Sequence, residues 1–151
     1  YSLILSPENE LQIESLNLGQ VLEESIASFY APLKEHNITP RIRITREKIL
    51  RSLDRSALSR IFSNLLSNAI KYSGEDLEIT LEDSGEIIFS NSAPGLNEIE
   101  TGRLFDRFYT VDSARKSTGL GLSIARTLAE QMKGTIWAEY EDGRLAVHLR
   151  F

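Results

Sequence analysis

Asp54-Arg-Ser-Ala-Leu-Ser-Arg-Ile-Phe-Ser-Asn-Leu-Leu-Ser-Asn-Ala-Ile-Lys-Tyr72 decides the fold. At 100° per residue, Leu58, Ile61, Phe62, Leu65, Leu66 and Ala69 fall on one broad apolar face, which predicts a helix running to about Tyr72. Asp54 or Ser56 is placed to cap it. Asn64, Asn68 and Lys71 fall in one narrow stripe beside the apolar face, with Tyr72 on the border. One edge of the helix therefore presents two amides, an amine and an aromatic ring. An amide oxygen is a hard neutral ligand suited to Mg²⁺, which takes few protein ligands when phosphates supply the rest. A lysine one turn away can meet phosphate as a point charge. The plainer alternative is a solvated face.

Outward from this helix the pattern is mixed. Towards the N-terminus, Leu11–Leu16 alternates as a short strand. Leu18 to about Glu35 reads as a helix with Val21, Leu22, Ile26 and Phe29 on one face, and Pro32 falls late in it. Ile42, Ile44 and Ile49 mark the next extended stretch. Towards the C-terminus, Leu77–Leu81 and Ile87–Phe89 read as strands joined by the turn Asp83-Ser-Gly85. A polar, irregular stretch runs from Asn91 to Gly121, broken by a short helical piece around Ile99–Phe108. A loop of that length in a compact domain is usually a functional lid or disordered. Gly121–Lys133 reads as a helix stopped by Gly134, followed by strands Thr135–Tyr140 and Leu145–Phe151 around a turn at Glu141-Asp-Gly-Arg144. Helices and paired strands without regular βαβ alternation predict an α+β, two-layer sandwich, with helices on one face of a mixed, mostly antiparallel sheet.

Composition narrows the function classes. The 151 residues suit one domain with a real core. With no cysteine, a disulfide framework and a thiolate metal site are both excluded. A net charge of −5 and the lack of a basic run argue against a nucleic-acid groove. No apolar run approaches the roughly 18–20 residues that cross a bilayer. The opening Tyr1-Ser-Leu-Ile-Leu has neither an initiator Met nor a basic region and reads as part of a longer chain.

Three further segments carry chemistry. Ser117-Thr-Gly-Leu-Gly-Leu122 opens the predicted helix at Gly121; glycines there let backbone approach closely, and the exposed N–H groups favour an anion. Leu104-Phe-Asp-Arg-Phe-Tyr109 places Phe105 and Phe108 on one face of a short helix, suited to tying the irregular stretch to the core. Asn91-Ser-Ala-Pro-Gly95 follows a strand.

Asn64-Leu-Leu-Ser-Asn-Ala-Ile-Lys-Tyr72 closely resembles the asparagine box of histidine kinases, in the ATPase superfamily shared with Hsp90, MutL and gyrase B. The other segments resemble the same family's phenylalanine and glycine boxes, in the family's order, over residues 11–151. The resemblance implies a histidine-kinase-type ATPase fold with a long ATP lid. It implies that residues 11–151 form the ATP-binding catalytic domain, and residues 1–10 the end of a linker from the dimerisation and histidine segment.

The implied chemistry is transfer of the ATP γ-phosphoryl group to a histidine, with ATP and Mg²⁺ as cofactors. The implied catalytic residues are Asn64, Asn68 and Lys71, with Asn68 as metal ligand. The implied nucleotide site adds Tyr72, Asn91, Gly95, Leu96, Phe105, Arg115, Thr118, Gly119, Leu120, Gly121 and Leu122. Three departures stand out: Ser117 replaces a glycine, Thr110 stands where an arginine is common, and Asn91 and Ala93 replace the Asp and Gly of the first glycine box. An Asn keeps a carbonyl acceptor for the adenine amino group but loses the charge, so Asn91→Asp is expected to raise the preference for ATP over GTP. Ala93 adds a methyl and resists positive φ.

His36 and His148 lack the family's acceptor setting and are expected to be structural. The acceptor histidine then belongs to a dimerising helical segment before Tyr1. Expected partners are that segment and a cognate response regulator, with no nucleic acid. The fragment is expected to be monomeric and the full-length kinase a homodimer. The implied location is the cytoplasmic side of an inner-membrane-anchored sensor. A different class of function stays open: a non-catalytic docking module of the same fold. Asn91 and Ala93 favour that alternative; Asn68, Lys71, Gly119 and Gly121 favour the working kinase.

Overall fold

The computed structural model describes residues 10–72, 76–94, 101–106 and 121–151, without the Tyr72 side chain. Its strands are β1 (Ile13–Asn17), β2 (Arg41–Ile44), β3 (Leu50–Asp54), β4 (Glu78–Leu81), β5 (Ile87–Ser92), β6 (Thr135–Glu141) and β7 (Arg144–Arg150). Its helices are α1 (Leu18–Ser28), α2 (Tyr30–Glu35), α3 (Arg55–Tyr72) and, closing the set, α4 (Gly121–Gln131). A five-stranded sheet has the order β2-β4-β5-β7-β6, parallel only at β2–β4. Helix α3 packs between α1 and α4 and on β5. The two-layer α+β sandwich expected from the sequence is the fold observed.

Side-chain alternation builds the core. Ile79, Leu81, Ile87, Phe89, Leu145, Val147 and Leu149 point to the helices and are buried. The apolar face of α3 meets them: Leu58, Ile61, Phe62, Leu65, Leu66 and Ala69 are all at most 1% exposed. The cap is Asp54, whose Oδ1 accepts from Ala57 N–H at 2.8 Å.

Four boundaries differ from the sequence expectation. The helix drawn from Leu18 to Glu35 breaks at Phe29, whose N–H bonds Ile26 O at 3.0 Å; three residues on, Pro32 has no N–H to give the Ser28 carbonyl. The single extended stretch around Ile42–Ile49 is two strands in two sheets. β2 joins the main sheet, while β3 pairs with β1 in a separate two-stranded sheet. Strand β5 runs on through Ser92, so Asn91 is a strand residue and not the start of the irregular stretch. Helix α4 ends in a Schellman motif whose left-handed residue is Lys133 (φ 64°), with Gly134 N–H bonding Ala129 O at 2.7 Å. Gly134 is needed for space: a Cβ there would meet the Phe151 ring at 2.6 Å.

The β6–β7 connection is a two-residue turn with positive φ at Asp142 and Gly143, matching the hand of the strand twist. Of the predicted helical piece at Ile99–Phe108, residues 101–106 are described. They begin with a helical turn that buries Thr101 and Leu104.

Candidate nucleotide site

The polar edge of α3 lies beside α4. Asn64, Asn68 and Lys71 are each half-buried. Asn64 Nδ2 donates to the carbonyl of Gly121 at 2.9 Å. This bond fixes the start of α4, where unpaired helix N–H groups face whatever lies in front. A Cβ on Gly121 would meet nothing within 4 Å among the described residues.

Asn68, one turn along from Asn64, makes no side-chain hydrogen bond among the described residues. A half-buried amide left unengaged suits a hard cation that takes its remaining ligands from phosphates and water. Lys71, in the last turn, is engaged within the fold and also complements the helix C-terminus.

The other end of the site is the tip of β5. Asn91 points inward, following Ile87 and Phe89, and is 2% exposed. Its Nδ2 donates to the Ser92 carbonyl at 3.0 Å. A carbonyl only accepts, so the side chain must turn its NH₂ towards Ser92 and its Oδ1 away. No donor among the described residues reaches that Oδ1. Ala93 is buried at negative φ, so the added methyl is accommodated without a left-handed backbone. Its N–H bonds Gly143 O at 2.8 Å and its carbonyl accepts from Tyr140 Oη at 2.9 Å.

Sequence reasoning missed a polar group on the opposite face of the sheet. Asp76 accepts from Ser92 N–H at 2.9 and 3.2 Å, from Ser92 Oγ at 2.9 Å, and from Arg144 at 2.6 Å. Arg144 also reaches Ser90 Oγ at 3.2 Å. Burial pushes the Asp76 carboxyl up, but the Ser92 N–H, the Arg144 bond and charge, and the Ser92 hydroxyl outweigh it and hold the carboxyl below its ordinary value. The two serines flanking Asn91 on β5 were the available signal, since their hydroxyls had to find partners on the outer face.

The remaining expected residues divide as follows. Leu122 is a core side chain at 5% exposure, so only its backbone is available to a ligand. Phe105 packs against the core beneath the Arg126 guanidinium, 5.3 Å from its ring centroid. That contact ties the segment to α4, as the spacing suggested. Gly95, Leu96, Arg115, Thr118, Gly119, Leu120, Phe108 and the Tyr72 side chain lie outside the described residues.

Neither histidine sits at the site. His36 is exposed and bonds Pro32 O through Nδ1 at 2.9 Å. His148 stacks on Trp137 on the outer face of the sheet, between Glu86 at 3.0 Å and Glu139 at 3.3 Å.

Helices over one face of a mixed sheet, with an asparagine edge on the central helix beside the start of α4, form an arrangement suited to a nucleotide. Sequence and structure comparisons place it more finely. Residues 53–151 match the family of histidine kinase-, DNA gyrase B-, and HSP90-like ATPases. The sensor protein VanSC of Enterococcus gallinarum is 34% identical over 148 residues, covering 93% of this chain and 41% of that protein. The swarming motility regulation sensor protein RssA of Serratia marcescens is 40% identical over 129 residues, covering 81% of this chain and 27% of RssA. The solved catalytic domain of the histidine kinase ThkA superposes with a TM-score of 0.81 at 28% identity, covering 92% of this chain and 94% of that one. The chain thus belongs to this ATPase family, as a catalytic, ATP-binding domain of the sensor histidine kinase type. It spans less than half the length of these two sensor relatives.

Proposed function

We propose that this domain binds Mg²⁺-ATP and passes the γ-phosphoryl group to a histidine on a separate dimerisation segment of the same sensor kinase. The observation that carries this reading is the α3 edge, where Asn64 is spent on holding the entry of α4 and the Asn68 amide has no partner among the described residues. In the transfer, the histidine nitrogen bonds the γ-phosphorus as the bond to the β–γ bridging oxygen breaks, and ADP leaves. Little covalent work falls to the domain; positioning and charge neutralisation are its task. Bound at Asn68, Mg²⁺ would supply neutralising charge to the phosphate oxygens. The helix entry at Gly121, with Lys71, Arg115, Thr118, Gly119 and Leu120, would hold the phosphates. Asn91, Gly95, Leu96 and Tyr72 would hold the base, with Phe105 anchoring the lid.

The partner assignments belong to the same reading. ThkA has been solved in complex with the response regulator TrrA, with a TM-score of 0.76 to this chain at 26% identity. We assign this domain a response regulator as the onward partner, and a homodimeric, membrane-anchored kinase as its parent. Among the described residues no helix is long and apolar enough to cross a membrane. The non-catalytic alternative rested on Asn91 and Ala93. An Asn91 Oδ1 turned away from the Ser92 carbonyl and an unstrained Ala93 weigh against it.

The test is in two parts. Calorimetry should detect Mg²⁺-dependent ATP binding to the chain alone. With radiolabelled ATP the chain alone should carry no acid-labile phosphate, and adding the histidine-bearing segment should produce it there. Label on His36 or His148, or no ATP binding at all, would sink the proposal.

A further inference from the structure

We infer that Asp76, Ser92, Arg144 and Tyr140 form a brace that holds the Asn91 amide in one orientation and so sets the domain's preference for adenine over guanine. The inference rests on the reading of Asn91 as the base-contacting residue. In the sheet, Ser92 and Arg144 are register partners across β5–β7. Extending the β4–β5 register from Glu78↔Ser90 by two residues puts Asp76 opposite Ser92. The three therefore form one row, from the residue leading into β4 across β5 to β7, on the face away from the helices. Asn91, next along β5, points the other way. Held from outside by its N–H and hydroxyl, Ser92 is the residue whose carbonyl receives the Asn91 NH₂. Beyond it, Tyr140 Oη and Gly143 O hold Ala93 by its carbonyl and N–H, so the segment is fastened on both sides of that carbonyl.

An asparagine needs this and an aspartate would not. A carboxylate presents an acceptor whichever way it turns. An amide is directional: one end accepts and the other donates. Turned one way, Asn91 offers Oδ1 to the amino group of adenine. Flipped, it offers NH₂, which suits the carbonyl that guanine carries at the same place. Only the bond to Ser92 O separates the two, and the brace determines where that carbonyl sits. Asp76, Arg144 and Tyr140 are positioning residues; none needs to touch the nucleotide.

The test compares binding of Mg²⁺-ATP, Mg²⁺-GTP and Mg²⁺-tripolyphosphate, a probe with no base, to the full chain and its variants by calorimetry. Arg144→Gln removes the ion pair, whose side chains are each 39% exposed. Tyr140→Phe removes one hydroxyl and leaves the ring in place. Each should lower the ATP/GTP affinity ratio by about two- to fivefold, the scale of a partly exposed pair or a single hydrogen bond. Tripolyphosphate binding should not change, and Arg144→Lys, which keeps the charge, should recover part of the ratio. A ratio unchanged in both variants, or an equal loss for all three ligands, overturns the brace while leaving the parent reading intact. Should Arg144→Gln not fold, Tyr140→Phe decides alone. A parent chain that binds both nucleotides equally overturns Asn91 as base reader and the brace with it. One that binds neither overturns the proposed function itself.

Discussion

Two polar clusters occupy opposite faces of this domain, and they differ in how fully their atoms are used. On the outer face of the sheet, Glu86 bonds His148 at 3.0 Å and also Arg150; Glu139 takes His148 at 3.3 Å and Trp137 Nε1 at 3.0 Å. The His148 ring stacks on Trp137, and the Arg150 guanidinium lies 5.5 Å from its ring centroid. Each partner is committed to another, as expected of a cluster that stabilises a fold. Along the α3 edge and the tip of β5 the opposite holds. Asn68 is uncommitted among the described residues, and Asn91 is held by its NH₂ with its oxygen turned away from Ser92 and met by no donor among them. A half-buried polar atom left without a partner costs stability unless something else binds it. Satisfaction, more than residue type, separates the cluster that holds the sheet from the site that awaits a ligand.

The largest expected effect breaks the comparison on the ligand side. Asn68→Ala should reduce Mg²⁺-dependent transfer on the order of a hundredfold or more, because metal charge at the phosphates is worth several kcal/mol. Thermal stability should stay within about 0.5 kcal/mol, since no side-chain hydrogen bond among the described residues is lost. Transfer at the parent rate would remove Asn68 from the metal.

On the structural side, Glu86→Gln should lower stability by about 1–2 kcal/mol at neutral pH, because charge-assisted bonds become neutral ones. Nucleotide affinity should not move. The bond from His148, then burial working against it, the bond from Arg150 and the two positive charges together leave the Glu86 carboxyl below its ordinary value. Its folded pKa is depressed, so its contribution is present above the unfolded value of 4.5 and is lost as pH falls through the folded one. Denaturant unfolding of parent and variant should therefore differ most near pH 7 and converge as pH falls below 4.5 and through the depressed folded value. A difference independent of pH would mean that packing, not charge, sustains the cluster.

A subtler change sharpens the comparison at Asn91. The sequence suggests that Asn91→Asp strengthens reading of the adenine amino group. The structure adds an opposing term: the atom facing Ser92 O at 3.0 Å would become a second acceptor. The ATP/GTP ratio should still rise, by a few-fold, while stability falls by about 1 kcal/mol, the cost of one unmade buried hydrogen bond. Calorimetry with both nucleotides, paired with thermal unfolding, measures both. A rise in stability would mean that the Asn91 orientation is wrong.

How far the sequence could be read follows from the range of the forces involved. Helix α3, its Asp54 cap and its polar stripe were legible because all three are matters of local spacing: 3.6 residues per turn places Asn64, Asn68 and Lys71 on one edge whatever surrounds them. The β6–β7 turn was legible because Asp142-Gly143 tolerates positive φ. The split of residues 42–54 between two sheets was not, since an isolated apolar alternation does not say which strand will pair with it. The Schellman end at Lys133 was misplaced because Gly134 suggested a left-handed residue, when it was needed to make room for Phe151 from the far end of the chain.

The sequence alone determined that a sandwich of helices over a mixed sheet would form and that one helix edge would carry amides and an amine suited to a metal phosphate. Those are consequences of periodicity and side-chain chemistry. Only the tertiary structure decided which amides were spent and which remained. Asn64 is spent on Gly121, 57 residues away. Asn91 is turned by the carbonyl of Ser92, a residue held by Asp76 and Arg144, which are 68 residues apart. Hydrogen bonds are directional and short, so the chemistry an amide presents to a ligand is set by partners that only folding brings within 3 Å.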